Sequence, residues 1–162
     1  EAICDLVNSA YRGDSSRFGW TTEADFLDGA RITVARTLEL IRPQDGKNVL
    51  VLRNPGSSAI EGCVYVERTV AGAYLGMLTV SPKLQDGGLG RLLLEEAEQF
   101  ARGFGAKSMT LGVIQLRGTL IAWYERRGYQ STGETLPFPY DQPELGIPKR
   151  PDLHFIMFKK DL

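Results

Sequence analysis

The sequence predicts an α/β domain: a mixed central sheet of mostly antiparallel strands with helices packed on both faces. Three observations carry this. Between residues 48 and 80 lie three apolar runs, 48–53, 59–68 and 73–80, joined by links far shorter than the dozen residues a parallel return needs. On either side the spacing of apolar residues lengthens to that of helices. A further apolar run, DLHFIMF at 152–158, follows a proline-rich stretch. A chain of 162 residues fits one domain, so residues 1–162 are read as a single unit.

The elements follow in order. In residues 1–10, Ile3, Leu6, Val7 and Ala10 fall at i, i+3, i+4 and i+7, an amphipathic helix. Residues 11–20 (YRGDSSRFGW) read as a polar loop. Thr21 or Thr22 can cap a second helix that carries Phe26, Leu27, Ile32, Leu38, Leu40 and Ile41 and stops at Pro43. The run 48–53 is a strand, Asn54-Pro55-Gly56 a turn, and 59–68 a second strand. The run 73–80 (AYLGMLTV), almost wholly apolar, is the central one. Leu89, Leu93, Ala97 and Phe100 share one face of a helix over 89–104, with Glu95, Glu96 and Glu98 on its solvent side and Gly103 and Gly105 as stop signals. A strand at 108–113, a helix at 119–127 and a strand at 129–134 come next. Residues 137–151, with five of the eight prolines, form a loop, and 152–158 is the last strand.

Charge and cysteine content narrow the function. Nineteen Lys and Arg against 20 Asp and Glu leave a net charge of −1, which supplies no global field for nucleic acid or anionic lipid. No apolar run approaches the roughly 18 residues of a membrane span. Cys4 and Cys63 stand far apart and His154 is the only histidine, which argues against a His/Cys metal site. The expectation is a cytoplasmic domain with no metal, no nucleic-acid partner and no membrane. A homodimer is left open.

The most informative stretch is Gln85-Asp86-Gly87-Gly88-Leu89-Gly90-Arg91, between an apolar strand and an amphipathic helix. Glycines here let backbone N–H groups face outward, and the helix start adds partial positive charge; together they suit a phosphate or pyrophosphate. Alone, the same pattern also describes a tight connection needing positive φ. A Walker loop would continue with Lys and Ser or Thr, whereas Gly90 is followed by Arg91-Leu92. A dinucleotide fingerprint would need GxGxxG in a parallel βαβ unit. The segment resembles the coenzyme A loop of the GNAT N-acetyltransferases: Gln85, Gly88 and Gly90 match the pattern of Gln or Arg, two residues, Gly, one residue, Gly or Ala. Val80-Ser81-Pro82 matches the end of the strand before it. Trp123-Tyr124-Glu125-Arg126-Arg127-Gly128-Tyr129 is similar to the family's second motif, with Tyr124, Gly128 and Tyr129 on its tyrosine, glycine and aromatic.

This resemblance covers about residues 48–158. It implies a GNAT-like sheet whose first family strand has no counterpart in this sequence, and acetyl-CoA as acetyl donor. It also implies pantetheine pairing with the main chain of Leu78, Thr79 and Val80, a carbonyl-polarising N–H near Leu78, and pyrophosphate contacts from Gln85, Asp86, Gly87, Gly88, Leu89, Gly90 and Arg91. Tyr124 is the candidate acid: a phenol with pKa near 10 stays protonated at neutral pH and can donate to the departing thiolate. Where the second motif often opens with Asn, this chain has Arg117, and residues 73–80 hold no acid that could act as base. Trp20, Phe138 and Tyr140 lie in regions that flank the acceptor in the family. Tyr65 and Glu67, with Glu61, alternate along one strand face and are candidate acceptor contacts or an ordinary solvated face. His154 is a further candidate base. The implied reaction is direct acetyl transfer to a primary amine on a small molecule or peptide; a non-catalytic acyl-CoA-binding module of the same fold is the alternative.

Overall fold

The computed structural model describes residues 1–162. Helix α1 (Ala2–Tyr11) and the short α2 (Gly13–Ser16) lead to a two-residue strand β1 (Leu27–Asp28) and helix α3 (Val34–Ile41). Strands β2 (Lys47–Arg53), β3 (Ile60–Thr69) and β4 (Gly72–Val80) form the antiparallel meander. Helix α4 (Leu89–Gly103) crosses over to β5 (Ser108–Ile114), the one strand that pairs in parallel, with β4. Then come α5 (Gly118–Glu125), β6 (Gln130–Pro137), β7 (Ile147–Pro148) and β8 (His154–Asp161). The six-stranded sheet runs β2-β3-β4-β5-β8-β6, and β1 pairs with β7 apart from it. The mixed, mostly antiparallel sheet and the central place of β4 are as the sequence predicts.

Apolar faces sort onto the two sides. Leu93, Leu94, Ala97 and Ala101 of α4 pack with Tyr124 of α5 on Val64, Val66, Leu75, Met109 and Leu111. Cys4, Leu6 and Val7 of α1 cover Cys63, Tyr65 and Met77 on the opposite face. A third, smaller core joins Phe26, Leu27, Ile114, Phe138 and Leu153.

Two expectations are corrected. Residues 22–32 are not helical: Phe26 and Leu27 drop into the third core, β1 pairs with β7, and Gly29 takes a left-handed turn (φ +76°) that interrupts any helix. The helix begins only at Val34, where the Thr33 hydroxyl accepts from the Arg36 N–H. Glu98 does not face solvent. It is buried, accepting from the Tyr129 hydroxyl at 3.1 Å and from Lys160 Nζ at 2.7 and 2.8 Å.

Candidate active site

The site begins as a break in the sheet. β4 and β5 pair only at Ala73/Met109 and Tyr74/Thr110, after which the strands part. On the other edge of β4, Cys63 pairs with Thr79 and Tyr65 with Gly76, so three steps on β4 face two on β3. That is a β-bulge, and Met77 sits in it at φ +54°. The extra residue reverses the alternation: Leu75 packs toward α4, yet Met77, two residues on, packs toward α1. Leu78 and Val80 thereby line a cavity of about 570 Å³, within the usual range for a ligand site. The Tyr11 hydroxyl, at the end of α1, donates to the Leu78 carbonyl at 3.0 Å. Thr79 faces away, its hydroxyl donating to the Met77 carbonyl in the buried layer that holds Cys63. Burial pushes that thiol up to about 11, which keeps it protonated and inert.

The second wall is the glycine loop. Asp86 (φ +69°) and Gly88 (φ +82°) both turn left-handed, and no side chain caps α4. The N–H groups of Leu89, Gly90 and Arg91 therefore stand outside the helical ladder. A Cβ built on Gly88 would meet nothing within 4 Å, so the glycine leaves an open cradle over these donors. Asp86, Gly88, Gly90 and Arg91 line the cavity together with Arg126 and Arg127. The guanidinium of Arg127 lies 3.6 Å over the ring of Trp123. Gln85 acts as a clamp: its Nε2 donates to the Val80 carbonyl at 3.2 Å, and its Oε1 accepts from the Trp20 N–H at 3.1 Å. That bond ties the chain after α2 to the start of the glycine loop. Gly87 and Leu89 are in the loop but not in the cavity wall; Leu89 packs against the main core.

Tyr124, carried by α5, joins both walls. Its ring is held edge-on between Trp123 and Tyr129, with centroids 5.0 and 5.6 Å away. The residue is buried, lines the cavity, and its hydroxyl has no protein hydrogen-bond partner. Burial, the largest influence, raises its pKa well above the ordinary 10, so the proton is held throughout the neutral range. Beside it, Arg117 lies over the ring of Tyr11 at 5.2 Å and lines the same cavity. One nitrogen of Arg117 contacts Glu23 at 3.1 Å and another the Thr21 hydroxyl at 2.9 Å. The second oxygen of Glu23 is held by Arg12 at 2.9 Å. Asp86 is the only carboxylate in the cavity wall.

The structure thus brings Trp20, Leu78, Val80, Gln85, Asp86, Gly88, Gly90, Arg91 and Tyr124 to one cavity. Tyr65, Glu67, Phe138 and Tyr140 are not in its wall. Tyr65 donates to Glu67 at 2.8 Å on the α1 side of β3. Phe138 belongs to the third core, and the Tyr140 hydroxyl is engaged by the Leu153 N–H and the Arg150 carbonyl. His154 opens β8, its Nδ1 near the Asp152 carbonyl, outside the cavity. Sequence reasoning missed Tyr11 and the Arg117–Glu23 pair. Tyr11 was readable only as the first residue of a loop, and the pair joins positions 94 residues apart.

Residues 4–129 match the model of the acetyltransferase (GNAT) family. An amino-acid acetyltransferase of Pseudomonas aeruginosa is 36% identical over 121 residues, 64% of this chain, which spans only 27% of that relative's length. An IAA acetyltransferase of Azospirillum brasilense is 30% identical over 102 residues, covering 62% of this chain and 65% of that protein. Among solved structures, a GNAT family acetyltransferase from Elizabethkingia anophelis with acetyl-CoA bound has a similar fold, with TM-score 0.62 at 13% identity over 80% of this chain and 84% of the other. With the parted strands, the uncapped α4 and a family match running from α1 to the end of the second motif, the chain belongs to the acetyltransferase (GNAT) family.

Proposed function

We propose that the protein transfers an acetyl group from acetyl-CoA directly to a primary amine. The observation that carries this is one cavity bounded by the uncapped start of α4, the parted edge of β4 and the free hydroxyl of Tyr124. The residues present fit the donor: an open glycine cradle with free N–H groups suits a pyrophosphate, and the unpaired edge at Leu78 and Val80 suits an amide-bearing arm. Arg91, Arg126 and Arg127 add positive charge along the same wall. Bound there, acetyl-CoA supplies an acetyl group activated as a thioester.

The chain's own residues then divide the work. The bulge at Met77 turns β4 so that backbone N–H groups near Leu78 face the cleft as oxyanion donors. Tyr11 holds the Leu78 carbonyl and so fixes the orientation of that peptide. Tyr124 donates a hydrogen bond at the position of the leaving sulfur. Its raised pKa makes complete proton transfer costly, so it stabilises the developing charge more than it surrenders its proton. No carboxylate reaches the centre of the cavity as base. The amine's proton is therefore passed to water as the neutral amine attacks the thioester. The relatives' names, an amino-acid and an IAA acetyltransferase, support small molecules as acceptors.

The test is release of CoA from acetyl-CoA across a panel of amines, amino acids, polyamines and peptide N-termini, with initial rates measured against both substrates. Direct transfer predicts amine-dependent release with intersecting double-reciprocal lines. Parallel lines would indicate an acetyl-enzyme, and the absence of release with every amine would favour an acyl-CoA-binding module.

A further inference from the structure

The wall of the cavity holds a guanidinium that the protein itself leaves partly unpaired. The Arg117 side chain is 8% exposed, yet its Nε–H has no hydrogen-bond partner. Of the five N–H donors of an arginine, two are used here, one on Glu23 Oε1 and one on the Thr21 hydroxyl. An unsatisfied donor in so buried a charged group is costly and calls for an explanation; the other such atom, Arg127 Nε, belongs to a second arginine of the same cavity, on the side of the glycine loop.

The charge balance points the same way. Glu23 is shared between Arg117 and Arg12, so one carboxylate faces two guanidiniums. Arg12 spends its other nitrogens on the carbonyls of Asp28, Ala30 and Leu145, which makes it a structural tie. Arg31 lies 5.4 Å from the centre of the Tyr11 ring, outside the cavity wall. The cavity is cationic on two sides, with Arg117 beside Tyr11 and with Arg91, Arg126 and Arg127 toward the glycine loop, and the only carboxylate lining it, Asp86, sits on that loop, away from Arg117 in sequence. Arginine meets carboxylates through two parallel N–H donors, a geometry that lysine or a neutral side chain cannot reproduce.

We propose that Arg117 is the acceptor-binding residue for a carboxylate, so that the acetylated amine belongs to a molecule bearing a carboxylate close to it, an α-amino acid being the simplest class. This rests on the acetyl-transfer reading and names the acceptor of that same site. The carboxylate takes up N–H donors of the guanidinium that the protein leaves free, offsets positive charge in the wall, and orients the amine toward the cleft beside Tyr124. Arg117 also ties Thr21 and Glu23 to the start of α5, next to Trp20 in the same cavity wall.

The experiment compares each proteinogenic L-amino acid with its carboxamide as acceptor, using wild-type protein and Arg117→Gln. In wild type the best acid is expected to exceed its amide in kcat/KM by about 10- to 150-fold, the range for a hydrogen bond to a charged partner. In the variant that ratio collapses toward one. Equal use of acids and amides by wild type overturns the proposal, as does a variant that loses rate while keeping the ratio, since that marks a structural tie. Calorimetry with N-acetyl-amino acids and their amides, on protein saturated with CoA, gives a readout independent of turnover. Preferential binding of the acids supports the subsite, and no preference overturns it. Saturable CoA binding with turnover of amides alone would defeat this inference while leaving the acetyl-transfer reading intact.

Discussion

At the scale of single residues, the proposed reaction assigns Tyr124 more of the chemistry than any other side chain. Its position in the motif around Gly128 was legible because an aromatic, a glycine and a second aromatic stand at fixed spacing. Its burial was not, because Tyr124 packs into a core built from β3, β4, α4 and β5, segments distant in sequence. Tyr124→Phe keeps the ring and its packing and removes only the donor. General acid catalysis typically supplies about 10²–10⁴-fold, and a strongly held proton places this residue near the lower end. kcat is therefore expected to fall about 10²-fold with acetyl-CoA affinity nearly unchanged, measured by steady-state kinetics and direct binding on the same variant. Unchanged kcat would remove Tyr124 from the mechanism. The direction of its pKa shift adds a second check. Because the proton is held beyond the ordinary value of 10, the rate profile of wild type should show no falling limb from this group up to about pH 10. A falling limb near pH 8–9 that vanishes in Tyr124→Phe would contradict the buried, neutral phenol.

At the scale of elements, the meander, the crossover helix and the glycine loop were legible, because period-two and period-3.6 patterns and clustered glycines are local signals. Residues 22–32 were not. Their apolar spacing resembles a helix, but Phe26 and Leu27 find better burial against Ile114, Phe138 and Leu153, contacts that no local pattern announces. Glu98 misled for the same reason, since its partners Tyr129 and Lys160 come from a later loop and strand. Glu98→Ala should cost about 2–4 kcal/mol, leaving a part-buried Lys160 and a buried Tyr129 hydroxyl without their acceptor. Glu95→Ala, which removes only an exposed pair with Arg91, should stay within about 0.5 kcal/mol. Chemical denaturation of the two variants measures this, and equal losses would mean that Glu98 is no more buried than Glu95. The glycine loop allows a matched comparison. Gly88 and Gly133 share positive φ (+82° and +79°) and open space around a Cβ, so valine at either should cost about 1–3 kcal/mol of backbone strain. Only Gly88→Val should also abolish stabilisation by acetyl-CoA, because only there does the side chain fill the cradle. A ligand response lost equally in both, or in neither, would detach the cradle from acetyl-CoA.

At the scale of the whole molecule, several buried phenols link stability to alkaline pH. Burial raises the pKa of Tyr11, Tyr124 and Tyr129 in the folded chain above the unfolded value near 10. Below about pH 10 both states keep these protons and the linkage is silent. Above it, the unfolded chain ionises first, so stability falls as pH rises, by about 1.4 kcal/mol per pH unit for each such tyrosine. Urea denaturation between pH 7 and 11 should show a plateau followed by a steep decline. A decline already complete by pH 9 would contradict neutral, buried tyrosines.

The central claim, that the cavity between β4 and the start of α4 receives acetyl-CoA, is tested most directly by ligand-dependent thermal unfolding. A ligand that binds only the folded chain stabilises it by about 2.7 kcal/mol at 100 times its dissociation constant. Acetyl-CoA is expected to raise the melting temperature in proportion to the logarithm of its concentration, while NAD and ATP leave it in place. A shift with NAD or ATP and none with acetyl-CoA would contradict the account.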